Sequence, residues 1–298
     1  SPNGSYIVGE SKSPTSDPIA AGQGVLWSTA DPQNPIALDY APSSPMNQGS
    51  AAGVANNGTA VGWSGGTATV WNTDGAVQEL LTLGGLTWNG NIFGTTADGT
   101  KHVGSSTDAD WGIVATLWDG EGNPMPLEDP YSWWSNAYAI SPNGEYITGF
   151  MDTGQVPWGL TLWDGEGSLL AFIPSLIGGE VVGACGLDVS DTGVVVGTDF
   201  WLFAPDSTGY IYKPGWSGLD TIQNWAMNEF GIDIGHSFRG EGIVSYDGFD
   251  YIASYGSALL LVAEADVPPE AVPGPSGAVL VLFGVAELAR RRARLARR

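Results

Sequence analysis

The chain has 298 residues, enough to bury a large core in one domain or two, and its 44 Gly, 19 Pro, 13 Trp, 10 Tyr and 9 Phe with only 14% charged residues exclude a charged helical bundle in favour of a turn-rich β protein. The formal net charge is −22. Six arginines, Arg290, Arg291, Arg292, Arg294, Arg297 and Arg298, crowd the last nine residues, leaving only Lys12, Lys101, Lys213 and Arg239 against 32 carboxylates, a surface that repels phosphate backbones and excludes nucleic-acid binding.

The chain opens on a turn. Ser1–Gly9 reads SPNGSYIVG: a polar turn ending in Gly, then a short β-prone run closed by a second Gly. Ser1 follows no initiator Met or apolar leader, so the sequence reads as mature or truncated, with a signal peptide expected upstream. The same unit returns as NNGTAVG (56–62), ADGTKHVG (97–104), SPNGEYITG (141–149), SDTGVVVG (190–197) and NEFGIDIG (228–235). The first Gly suits a hairpin position with positive φ, which Asn and Asp beside it also favour. The second glycines, at 9, 62, 104, 149, 197 and 235, lie 38 to 53 residues apart, the period of a four-stranded propeller blade.

Each unit carries further parts in phase. Upstream of the turn stands an apolar alternation, as in AYAIS (137–141) and CGLDVS (185–190); downstream stands a strand ending on an aromatic, at Trp27, Trp71, Trp118, Trp163 and, in the fifth copy, Tyr212. A second turn, WDGEGN from Trp118 and WDGEGS from Trp163, leads into apolar runs such as LLAFIP. Four strands per copy follow, and the recurring Trp is expected between blades, because one small sheet cannot bury both its faces alone. The first copy lacks its opening strand; the apolar run Ser257–Ala265 is expected to pair with it and close the ring.

These stretches, together with LLTLGGLTWN (80–89), resemble the HAF-repeat extracellular proteins over residues 1–265. The resemblance implies an exported, propeller-like protein and brings no catalytic residues. From Val272 the chain reads VPGPSGAVLVLFGVAELARRRARLARR: a proline-marked motif, an apolar stretch and an arginine cluster. This order resembles the PEP-CTERM sorting tail, with Pro273, Gly274 and Pro275 as the motif and Gly274 where that tail carries Glu. It implies recognition by an exosortase-type enzyme and an extracellular-polysaccharide or biofilm setting. The run from Ser276 to Ala289 is short for a spanning helix, and the arginines after it would face the cytoplasm. The expected organisation is therefore an all-β propeller of about six four-stranded repeats (1–265), a Pro-rich linker (266–275), and a sorting or membrane tail with a short C-terminal helix (276–298).

Residues for chemistry are few. Cys185 is the only cysteine, and His102 and His236 are the only histidines, each in a repeat position where other copies carry Tyr, Ala, Val or Ile. GHSFR (235–239) has Arg239 where a nucleophile elbow needs Gly. The carboxylates Asp108, Asp110, Asp152 and Glu180 show no spacing that singles out an acid pair. Hard oxygen ligands for calcium are offered by Asp119, Glu121, Asn123, Asp164 and Glu166 in the second turns; no cofactor is otherwise expected. The sequence thus predicts a noncatalytic surface or matrix protein, with exopolysaccharide or a cell-surface protein as partner; the alternative is a carbohydrate-active enzyme using channel carboxylates.

Overall fold

The computed structural model describes residues 1–11, 22–44, 46–130, 134–154, 158–177, 180–199, 208–234, 242–246, 249–254 and 257–264. They form six antiparallel blades in chain order, an all-β propeller. Blade one holds β1 (Tyr6–Ser11), β2 (Gln23–Ser28) and β3 (Asp31–Ala37); blade two holds β4 (Gly49–Val54), β5 (Ala60–Ser64), β6 (Thr67–Trp71) and β7 (Val77–Glu79). Blade three is β8 (Gly90–Thr95), β9 (His102–Thr107), β10 (Ile113–Trp118) and β11 (Pro124–Pro126). Blade four is β12 (Trp134–Ile140), β13 (Tyr146–Asp152), β14 (Gly159–Asp164) and β15 (Leu169–Ile177), extended by β16 (Glu180–Val182). Blade five is β17 (Ala184–Val189), β18 (Val195–Asp199), β19 (Gly209–Tyr212) and β20 (Asp220–Thr221), followed by helix α1 (Ile222–Phe230). Blade six is β21 (Gly242–Tyr246), β22 (Phe249–Ser254) and β23 (Ser257–Glu264). A single parallel bridge, Ile113 to Trp134, joins blades three and four.

The first strands β4, β8, β12, β17 and β21 lie side by side in that order. Their turns are tied across blades: Asn3 N donates to Asn56 Oδ1 (2.9 Å), Asn56 N to the Ala97 carbonyl (2.8 Å), Ala97 N to that of Pro142 (2.9 Å), and Asn143 N to Asp191 Oδ1 (2.8 Å). The repeated polar turn therefore does two jobs, reversing its own hairpin and supplying the next blade with a partner. As expected, its first Gly takes a positive φ at Gly4, Gly58, Gly99, Gly144 and Gly193.

The recurring Trp is interblade core in blades two to four, whereas Trp27 of blade one is half-buried. Trp71, Trp118 and Trp163 are fully buried, and each indole N–H donates to a carbonyl of the preceding blade's last connection: Asp39 (2.7 Å), Leu81 (2.8 Å) and Glu128 (2.8 Å). A buried aromatic is worth several kcal/mol, roughly 3–5 on truncation to Ala, and here its one polar atom is satisfied as well.

Two expectations are corrected. The sixth unit is not NEFGIDIG: Asn228 and Phe230 lie in α1, which starts on Thr221, whose hydroxyl accepts from Asn224 N (3.0 Å), and ends on Gly231 at φ 68°. Nor does Ser257–Ala265 close the ring; β23 pairs with β22 from Phe249 opposite Glu264 to Ser254 opposite Ser257. A strand two residues after β22 loses far less chain entropy by folding back on it than by crossing to blade one. The Pro-rich linker, Pro273, Gly274, Pro275, the arginine cluster and the expected C-terminal helix lie outside the described residues. Among the described residues, no helix is long and apolar enough to cross a membrane.

Candidate functional site

Each inner strand of blades two to five carries one extra residue in its ladder, at Ala52, Phe93, Tyr138 and Leu187. A bulge turns the strand and re-aims its side chain. Here all four residues line one central cavity of about 480 Å³ at the end of the ring that carries the SPNG-type turns, together with Asp188 and Ile243. The same bulges explain the second Gly of the repeat. A Cβ on Gly62, Gly104, Gly149 or Gly197 would sit 1.9–2.1 Å from the carbonyl oxygen of Ser50, Asn91, Asn136 or Cys185, which the bulge pushes onto it.

Asp188 is the one carboxylate among the described residues of the cavity wall. Its Oδ2 accepts from Ile243 N and its Oδ1 from Val189 N, both at 2.9 Å, so it ties blade six to blade five. Burial pushes its pKa up to about 6 despite these two donors. From the cavity an aromatic column runs outward: Phe93 to Tyr138 (5.3 Å between ring centroids), Tyr138 to Phe150 (5.8 Å), Phe150 stacked on Trp158 (5.2 Å, 10°), and Trp158 against Trp134 (5.0 Å). Burial raises the Tyr138 phenol, with a smaller push from Cys185, so it stays a neutral donor.

At the opposite ends of the inner strands, blade three displays two tryptophans. Trp88 is 45% and Trp111 60% exposed, with ring centroids 5.2 Å apart and planes inclined at 49°. Trp111 stands at φ 67° in a tight turn that Asp108 builds, its Oδ1 accepting from Asp110 N (2.9 Å) and Gly112 N (2.8 Å) while Trp111 N donates to the Asp108 carbonyl (3.3 Å). Asn89, next to Trp88, stands at φ 64°, and its carbonyl accepts from Thr107 N (3.1 Å). A left-handed conformation at a bulky residue costs on the order of 1 kcal/mol. The fold thus keeps an exposed indole on this turn at an energetic cost.

The predicted site residues are not brought together. Asp119 Oδ1 accepts from Glu121 N (2.9 Å) and Asn123 N (2.9 Å) and Oδ2 from Asn123 Nδ2 (2.8 Å), bonds that hold its carboxyl below the usual range. Asp164 Oδ1 accepts from Glu166 N (3.0 Å) and Ser168 N (2.8 Å), and Glu166 pairs with Lys101 (2.8 Å). These side chains cap turns in two different blades, and among the described residues no three His, Cys, Asp or Glu converge as a metal site. Asp108 and Asp110 flank Trp111, Asp152 caps Gly154 N (2.8 Å), and Glu180 opens β16. His102 is buried on β9, its Nδ1 2.9 Å from Thr95 Oγ1, and burial lowers its pKa to about 4. His236 and Arg239 lie outside the described residues. Trp88 lies in the LLTLGGLTWN stretch, but in sequence neither it nor Trp111 differs from the chain's other tryptophans that stand out of phase with the repeat.

The fold has counterparts among solved structures. TolB from Acinetobacter baumannii aligns at a TM-score of 0.50 and 11% identity over 84% of this chain and 61% of its own. A putative TolB from Agrobacterium tumefaciens aligns at 0.52 and 15% identity, over 86% and 88%. The likeness is one of fold. This chain spans less than two thirds of the length of the Acinetobacter protein. No family model and no curated protein matches the chain by sequence.

Proposed function

We propose that this propeller is the exported, noncatalytic repeat domain of a surface or matrix protein, and that it holds a neutral glycan on the indoles of Trp88 and Trp111. The observation that carries the reading is the exposed pair itself, two large apolar rings 5.2 Å apart, one of which, Trp111, stands on left-handed backbone. Exposed apolar surface kept at such a cost marks a contact site. Pyranose rings present flat C–H faces that pack on indole, and the carboxylates of Asp108 and Asp110 beside Trp111 offer acceptors to sugar hydroxyls. The excess of acidic residues, 32 against 10 Lys and Arg, disfavours anionic polysaccharides and leaves neutral ones.

Export and anchoring rest on the sequence of the tail, with an exosortase-type enzyme as its partner and a membrane as its transient or lasting anchor. Deleting residues 277–298 should release the protein from the cell envelope; unchanged retention would remove the anchoring role. For the site, wild-type protein should be retained on neutral polysaccharide, and Trp88→Ala and Trp111→Ala should each lose about tenfold or more in affinity. Retention by both variants equal to wild type would sink the reading. Turnover of a polysaccharide that disappears with Asp188→Asn would instead establish the carbohydrate-active alternative.

A further inference from the structure

One position of the repeat reaches from its own blade onto the next. It is the residue whose carbonyl closes the first turn: Thr59, Lys101 and Tyr146 accept from Ala55 N (2.9 Å), Thr96 N (3.0 Å) and Ser141 N (2.8 Å), which makes the three equivalent. The Lys101 stem passes 3.8 Å from where a Cβ on Gly144 would stand, and the Tyr146 ring comes within 3.0 Å of the same point on Gly193, so each covers the turn glycine of the following blade. Thr59 lies as close to Gly99, its Cβ at 3.3 Å, but its side chain stops one atom further on. A cavity of about 320 Å³ opens there, between blades two and three.

The neighbouring interface shows what this space suits. Lys101 lays its ammonium on the second turn of blade four, Nζ donating to the Gly165 carbonyl (2.7 Å) and pairing with Glu166 (2.8 Å). The WDGEG turn of blade three repeats that turn residue for residue, and its Asp119, Gly120 and Gly122 line the cavity. Gly120 is the counterpart of Gly165, yet its carbonyl accepts no hydrogen bond among the described residues; Glu121, the counterpart of Glu166, pairs with no cation among them. Another wall is His102, 4% exposed, where blade four has Ile147 and blade five Val195. Thr95 Oγ1 gives its one hydrogen to the Lys101 carbonyl (3.2 Å), so at 2.9 Å it accepts from His102 Nδ1. The other ring nitrogen, Nε2, then carries a bare lone pair with no partner among the described residues, and burial keeps the ring uncharged at neutral pH.

We propose that the cavity between blades two and three binds a primary alkylammonium group, seated where blade three places its own Lys101 one interface further on. The ammonium donates to the Gly120 carbonyl, as Lys101 does to that of Gly165, with His102 Nε2 as a second acceptor and the carboxylates of Asp119 and Glu121 beside it. Its aliphatic stem packs on Val70, Val77 and Leu80, which line the same space. A volume of about 320 Å³ falls within the range of small-molecule sites, roughly 300–1,000 Å³. The acidic excess of the chain favours a cationic ligand over an anionic one. This site is separate from the tryptophan pair and does not rest on glycan binding.

The probe is n-butylamine hydrochloride, titrated into the full chain at neutral pH and followed by NMR, with n-butanol as the uncharged control and Nα-acetyl-lysine amide as the side-chain form of the same group. The expected result is saturable one-to-one binding of the amine and not of the alcohol, with the largest shifts at His102 and Gly120. Thr59→Lys supplies a tethered ammonium at the Lys101 position and should abolish binding while raising the melting temperature; Thr59→Ser should bind as wild type does. His102→Val should weaken binding about tenfold by removing the second acceptor. Tighter binding of the lysine derivative would assign the site to lysine side chains and tighter binding of butylamine to free amines, and both uphold the proposal. Absent binding, equal binding of butanol, shifts confined to other blades, or undiminished binding by Thr59→Lys would overturn it. Should Thr59→Lys fail to fold, undiminished binding by His102→Val overturns it instead.

Discussion

Gly149 and His102 show how single residues hold or stress this ring. A Cβ on Gly149 would lie 1.9 Å from the Asn136 carbonyl oxygen and 2.9 Å from Ala137 Cα, both backbone atoms that cannot move aside. Gly149→Ala should therefore destabilise the fold by roughly 2–4 kcal/mol in denaturant unfolding, whereas Gly9→Ala should change it by less than about 1 kcal/mol. His102 is neutral in the fold, with a pKa of about 4 against about 6.5 in an unfolded chain. As pH falls from 6.5 to 4 the unfolded state takes up a proton that the native state refuses, so stability drops, by at most about 3 kcal/mol. Asp188, raised to about 6, acts in the opposite sense, since the native state takes its proton first and gains stability as pH falls through 6 towards 4. The two act in opposite senses over this range, and His102→Val, the residue type of blade five, should make acidification less destabilising than it is in wild type; Thr95 Oγ1 keeps a partner in the Lys101 carbonyl (3.2 Å). Parallel pH profiles for variant and wild type would assign His102 no such effect. The roles of the turn glycines and the phased tryptophans were legible in the sequence because each follows from local backbone or periodicity. The reason for the second Gly was not, since it depends on a carbonyl brought over by a bulge in another strand.

At the scale of elements, the turn-and-strand unit predicts its own structure until its closing Gly is lost. β21 and β22 pair without a shift, Gly242 opposite Ala253 and Ile243 opposite Ile252, so no bulged carbonyl presses on position 253 and Ala is accommodated. The true sixth copy, IVSYDGFDYIAS (243–254), therefore hides behind one substitution. NEFGIDIG imitates the motif while its first half ends a helix. Its Gly has a positive φ because it is a helix C-cap, with its N–H bonded to the Met227 and Ala226 carbonyls, and a hairpin and a helix end place the same demand on Gly. Thr221→Ala removes the hydroxyl that caps Asn224 N and should cost about 1 kcal/mol of stability. An unchanged unfolding midpoint would show that α1 is held by the packing of Trp225 and Ile222 alone.

For the whole molecule, period and composition led to a six-bladed ring, and the ring arranges what no single copy announces: a bulge-lined cavity at one end and an indole pair at the other. Trp88 and Trp111 meet only because the β7–β8 and β9–β10 connections of one ring face converge, a neighbour relation that spacing in sequence does not encode. The most direct test of the binding account uses the strain at Trp111. Trp111→Gly relieves a left-handed residue at φ 67° and should leave stability unchanged or raise it by up to about 1 kcal/mol, while abolishing the tryptophan fluorescence change on titration with a neutral oligosaccharide. A stable Trp111→Gly protein that binds the oligosaccharide as tightly as wild type would contradict it.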